Sequence, residues 1–132
     1  QFRTHALTKI YHAVVLGHPP AGDGLVHWLK KDADAAAVRV CAEGAVGAKR
    51  CELAYRTLAA DGERTLLEIN LLTCRTHQIR VQMAAVGCPV LGDDKYGDRA
   101  ANKRFGVKTQ QLLSKRLIIN GQTFESQREL SL

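Results

Sequence analysis

The chain has 132 residues, 45% of them apolar and 24% charged, enough for one folded domain with its core and ordinary in globular composition. No apolar run reaches the length of a membrane-crossing helix, and no charged-then-apolar leader is read in it. A net charge of +6 with a pI near 9.4 favours a polyanionic partner, nucleic acid ahead of a lipid surface, with a solvated basic face as the plain alternative. In chain order, KIYHAVVLG (9–17) is β-branched and apolar on both alternating faces, a strand covered on both sides. PPAGDG (19–24) carries turn chemistry, LVHWLKK reads as a short strand, and VRVCAEG (38–44) as another that ends in glycine punctuation. RCELAYRTLAA (50–60) stops at Asp61-Gly62 and TLLEINLLT (65–73) returns, the pattern of an antiparallel hairpin. THQIRVQMAAVG (76–87) changes period: Ile79, Met83 and Val86 form a helical stripe, Thr76 is the expected N-cap, and Gly87 with Pro89 marks the end. LGDDKYGDR (91–99) reads as a polar loop. LLSKRLII (112–119), Asn120-Gly121 and QTFES (122–126) predict a last hairpin with a type I′ turn. The sum is an α+β fold, a mixed, mostly antiparallel sheet with few helices and one clear one, in a single domain over 1–132.

Four cysteines, at 41, 51, 74 and 88, lack zinc-ligand spacing and lie in apolar stretches. They read as reduced thiols of a cytoplasmic protein, with no metal implied. Between Lys95 and Arg116 seven cations face one acid, Asp98, a one-sign stretch that suits phosphates. TCRTHQIRV (73–81) sets two arginines, a histidine and a glutamine between a strand and a helix. His77 and Arg80, three apart, share a side and leave the apolar stripe free to pack. A helix start with two guanidiniums holds a phosphate or a carboxylate well. The competing reading is that Arg75 and Arg80 pair with local acids such as Asp93 and Asp94. Tyr11 is similarly open: a core tyrosine, or a ring placed beside an unstacked base.

KIYHAVVLG, then EGAVGAKRCELAYRTL (43–58), then LLTCRTHQIRVQMAAVGCPVLGDDKYGDR (71–99) resemble, in order, the C-terminal part of the catalytic domain of RluA-type pseudouridine synthases. That family carries a Lys-x-Tyr-x-Ala-Val strand, a Thr-Gly-Arg-Thr-His-Gln-Ile-Arg segment and a Pro-x-x-Gly-Asp-x-x-Tyr-Gly loop. The resemblance runs from about Gln1 to Ser126, and the tail from Tyr96 to Leu117 is closest to the ribosomal large-subunit branch. It implies an isomerase that turns uridine into pseudouridine in RNA, ribosomal rather than transfer RNA, without cofactor or metal. The base is flipped out, its glycosidic bond is broken with an essential aspartate, and uracil is rejoined through carbon. Tyr11 matches the tyrosine that stacks on the base and helps remove the C5 proton. Arg80 matches the arginine that pairs with the catalytic aspartate. Lys9, Arg75, Thr76, His77, Gln78, Lys95, Lys103 and Arg104 are the expected RNA-binding set.

The departures carry expectations too. The family's aspartate sits in a His-Arg-Leu-Asp segment, which this chain lacks. The chain alone is therefore expected to be inactive, with Arg80 missing its partner. It opens on Gln1 rather than methionine, as an excised piece of a longer protein would, with an N-terminal segment or RNA-binding domain elsewhere. Cys74 replaces the family glycine, which strains the turn if that position needs positive φ. Leu113-Ser114 stands in place of the family's His-Ala. The alternatives are a noncatalytic RNA-binding module and a basic structural domain whose arginines are satisfied internally.

Overall fold

The alternation read in the sequence builds seven strands, β1 (Leu7–Leu16), β2 (Gly24–Lys31), β3 (Val38–Cys41), β4 (Lys49–Ala60), β5 (Arg64–Leu71), β6 (Leu112–Ile119) and β7 (Gln122–Glu125). Two helices, α1 (Gln78–Ala85) and α2 (Arg99–Phe105), join them. The computed structural model describes residues 7–20, 24–32 and 36–132. The turn expected over 19–24 falls partly outside these residues. One sheet holds every strand in the order β3-β2-β4-β5-β1-β6-β7, and every pairing is antiparallel. No parallel pair is present among the described residues, where a mixed sheet was expected.

Both predicted hairpins form. β4 and β5 pair from Leu53–Leu71 to Ala60–Thr65, and β6 and β7 turn through Asn120 at φ 49° and Gly121 at φ 83°. Two successive positive φ values are what the Asn-Gly signal anticipates. In β5 the odd residues Thr65, Leu67 and Ile69 are buried while the even ones stay partly exposed, so one face of the sheet carries the core. In β1, Ala13, Val14 and Val15 are buried in succession, a strand covered on both sides at that point. Beyond the start of β6 its place beside β1 is taken by the segment after α1, through Leu16 N to Pro89 O and Leu91 N to Val14 O.

α1 lies on the core face. Ile79 and Met83 join Ala13, Leu53, Leu67 and Ile69, with Val86 packed at the margin. Val81 reaches a second cluster of Leu29, Val38 and Cys51. Three details depart from expectation. The N-cap is His77, in the left-handed region at φ 55°, ψ 23° and without a side-chain cap bond, so Thr76 is not the cap. Cys74 has no positive φ, so the turn strain expected from replacing a glycine does not arise. α2 was not foreseen: its N-cap Asp98 accepts a bond from Ala101 N and its C-cap Gly106 is left-handed. Both caps were present in the sequence, but a helix of seven residues that buries only Ala101 and Asn102 shows no apolar period.

Candidate active site

The junction between β5 and α1 is organised by one buried amide. Gln78 is 3% exposed. Its Oε1 accepts bonds from the Thr73 hydroxyl at 2.9 Å and from Arg75 N at 3.0 Å. Its Nε2 donates to the Glu52 carbonyl at 3.1 Å. Thr73 in turn accepts from Glu52 N at 2.8 Å. The turn is thereby fastened to β4, and Gln78, expected among the RNA contacts, meets the cleft only at its wall. Held this way, Arg75 projects an exposed guanidinium that makes a long 3.4 Å contact to the Arg50 carbonyl. No carboxylate pairs with it among the described residues.

Arg80 pairs with Asp93, one of the local acids of the competing reading, and this pairing is separate from the catalytic aspartate that the resemblance assigns to it. Its Nε and Nη2 donate to Asp93 Oδ2 and Oδ1, both at 2.9 Å. The Asp93 side chain is fully buried and that of Arg80 is 14% exposed. Asp93 also accepts from the amides of Lys95 and Tyr96. Burial pushes its carboxyl up, but the Arg80 guanidinium and the two amides outweigh that and hold it below the ordinary carboxylate value. The bonds that Arg80 donates to Asp93 raise its own pKa in return. A guanidinium has five N–H donors, and Asp93 takes two through the Nε–Nη2 edge, so the Nη1 edge remains for another anion.

The loop that supplies Asp93 is fixed by local backbone needs. Gly92 has φ 87°, and a Cβ there would run into the Thr109 carbonyl. Gly92 N donates to Asn102 Oδ1 while Asn102 Nδ2 donates to Asp93 O, so α2 braces the loop. Tyr96 completes the surround. The Arg80 guanidinium lies 5.1 Å from its ring centre, and its hydroxyl accepts from Val38 N and lies 2.7 Å from His77 Nδ1. Burial, with Arg80 and Lys95 nearby, lowers the His77 pKa, and the ring nitrogen facing the Tyr96 hydroxyl donates or accepts according to its tautomer.

Tyr11 faces the same space. A register shift between Ile10 and Tyr11 marks a bulge where β6 passes β1, and bulges re-aim side chains next to functional sites. Lys115 sits at the bulge, 7% exposed, with Nζ donating to the carbonyls of Ser126 and Arg128. Tyr11, Arg75, His77 and Arg80 line one cleft of about 240 Å³, with Leu71 and Leu112 as apolar walls. The Tyr11 hydroxyl has no hydrogen-bond partner among the described residues, and no carboxylate is among the cleft's lining residues.

The other expected contacts distribute unevenly. Lys9 stands on the Tyr11 face of β1, opposite Leu71. Thr76 is exposed on the turn. Lys95 donates to the Ala36 carbonyl at 2.7 Å. Lys103 is exposed on α2, and Arg104 pairs with Glu63 at 2.7 Å, by the β4–β5 turn. That turn is at the far end of β5 from Leu71, roughly 23 Å along a strand, so Arg104 is not brought to the cleft. The one-sign run of cations also dissolves in space: Lys115 is buried, Arg116 pairs with Glu125, and Arg104 with Glu63. Asp93 was expected only as a competing partner for the arginines, and Tyr96 was outside the expected site, although the glycines beside them punctuate the loop. No His, Cys, Asp and Glu group suited to a metal occurs among the described residues, and no helix there is long and apolar enough to cross a membrane.

An antiparallel sheet sets a tyrosine of one strand against an arginine-rich turn that follows another. The chain belongs to the RNA pseudouridylate synthase family, whose pattern matches residues 1–85. It is a member of the RluA type. Over 121 residues it is 38% identical to ribosomal large subunit pseudouridine synthase C of Vibrio cholerae, covering 91% of this chain and 36% of that protein. It is 34% identical over 128 residues to the protein of the same name from Vibrio parahaemolyticus, covering 96% and 38%. The chain thus spans between 36% and 38% of the length of these relatives. Among solved structures, human RNA pseudouridylate synthase domain containing 1 superposes with a TM-score of 0.73 at 26% identity, over 91% of this chain and 53% of that one.

Proposed function

We propose that the complete protein isomerises uridine to pseudouridine in RNA, and that this chain supplies one wall of its active site. The observation that carries the reading is the shared cleft of Tyr11 and Arg80, each with a functional group left unengaged. In the reaction the N1–C1′ bond of the flipped uridine breaks, C5 bonds to C1′, C5 loses its proton and N1 gains one. The Tyr11 ring offers a stacking surface and its free hydroxyl a group to help remove the C5 proton. Arg80, braced by Asp93, presents its Nη1 edge to the catalytic aspartate, which comes from a part of the protein outside these residues. A cation there keeps a half-buried carboxylate ionised and nucleophilic. Arg75, exposed and without a carboxylate partner, grips phosphate.

The names of the relatives support large-subunit ribosomal RNA as the substrate, and a cytoplasmic setting keeps the four thiols reduced. The test is release of tritium from RNA labelled at C5 of uridine. Large-subunit ribosomal RNA should release it with the complete protein, and transfer RNA should not; no release from either sinks the assignment. One observation favours a second reading, a noncatalytic RNA-binding module: no carboxylate is among the described residues that line the cleft. Binding without release would select that reading.

A further inference from the structure

A second groove, of about 480 Å³, opens between the β2–β3 hairpin and the 73–76 turn. It shares Cys74 and Arg75 with the Tyr11 cleft, so the two are continuous along one rim. Its cations are Lys30, Lys31, Lys49 and Arg75, and no acidic residue is among its described lining residues. Arg39, Arg50, Arg56, Arg64, Arg104 and Arg116 each pair with a carboxylate. Lys30, Lys31 and Lys49 have no ion pair or side-chain hydrogen bond among the described residues.

The sheet register explains how residues distant in sequence meet. Lys49 lies opposite Leu29, and Lys31 is two residues further along β2. Both therefore point to the face that carries α1, diagonal to each other at about 7–8 Å. Two like charges at that spacing, with Arg75 beyond them, gain nothing from one another in the free protein. The floor is apolar, with Leu29 at 2% and Val38 at 6% exposure, and Val46 stands 90% exposed at the margin. The lining residues include no aromatic ring for stacking and no carboxamide for reading base edges. Such a groove follows a charged backbone without reading its bases.

We infer that this groove holds the single-stranded RNA flanking the target uridine, gripping its phosphates through Lys31, Lys49 and Arg75 irrespective of sequence. The inference rests on the proposed RNA-modifying function and adds the path the strand takes away from the cleft. The test compares the complete protein with its Lys31→Gln/Lys49→Gln variant. The probes are two RNA oligonucleotides around the modified uridine, one with long single-stranded flanks and one trimmed to its immediate neighbours. Each cation on single-stranded RNA contributes about 0.7 to the slope of log affinity against log salt. The variant's slope on the long RNA should therefore fall by about 1.4. Its slope on the short RNA and its turnover at saturating RNA should not change. Replacing the flanking bases at constant length should leave the effect intact.

An unchanged slope on the long RNA overturns the inference, as does an equal loss on both lengths. If the unmodified protein neither binds nor turns over RNA, the functional reading fails first and this inference falls with it. If the unmodified protein is active and the variant matches it on long RNA, only the groove assignment fails.

Discussion

Replacing Asp93 by asparagine isolates the contact that positions Arg80. The native carboxylate accepts four bonds, two from Arg80 and one each from the amides of Lys95 and Tyr96. An asparagine keeps one acceptor oxygen but turns an NH2 toward the other guanidinium N–H and removes the charge. Breaking one side of a buried ion pair costs about 3–5 kcal/mol. Arg80 is 14% exposed and can turn its fork toward water in the cleft, so the loss belongs at the lower end, about 3 kcal/mol. With m of about 1.5 kcal/mol/M, the urea midpoint should drop by about 2 M at unchanged slope. The pH dependence carries its own sign. The Asp93 pKa is lowered from 3.8, so its contribution is complete above that value and is lost as pH falls through the folded pKa. The gap between the two proteins should stay flat from pH 7 to about 5 and narrow only under stronger acid. A loss below about 1 kcal/mol at pH 7, with m unchanged, would refute the claim that Asp93 holds Arg80 in place.

Gln78→Ala leaves the Arg75 amide without its partner and removes one bond each from the Thr73 hydroxyl and the Glu52 carbonyl. It should destabilise by about 2–3 kcal/mol in urea and weaken RNA binding in a filter assay by freeing Arg75; full stability would show that the turn stands without it. His27 and His77 both have pKa values lowered by burial, so the unfolded chain binds more protons than the folded one. Their contribution is complete above pH 6.5 and is lost as pH falls through the folded values. Denaturation at pH 6.5 and 5.5 should therefore show a loss of stability that the His27→Gln/His77→Asn variant lacks, in a window above the ordinary range of the carboxylates. Equal losses in both proteins would show that these rings do not couple to folding.

The sheet was readable because its rule is local. Thr65, Leu67 and Ile69 alternate with partly exposed neighbours, and Asp61-Gly62 and Asn120-Gly121 punctuate the hairpins. The α1 stripe of Ile79 and Met83 was equally plain. The failures have physical causes. The left-handed His77 could not be read from composition, and it moved the cap by one residue. α2 was too short to show a period. Arg80 meets Asp93 only because Gly92, with its positive φ, and Asn102 turn the loop back under α1. Spacing along the chain contained Asp93 as a candidate partner but not that geometry. Charge was the least legible property. The run from Lys95 to Arg116 looked like one basic strip and is partly neutralised in space. Lys31 and Lys49, separated in the chain by the β3 hairpin, become neighbours across the β2–β4 ladder.

The claim that Tyr11 acts on the flipped base while Arg75 and its neighbours bind RNA is tested most directly by Tyr11→Phe in the complete protein. Tyr11 lines the cleft and its hydroxyl supports no hydrogen bond among the described residues, so the variant should fold and bind RNA with native affinity. Single-turnover release of tritium from C5-labelled uridine should fall to background. Tritium release at the native rate, with binding intact, would contradict the account.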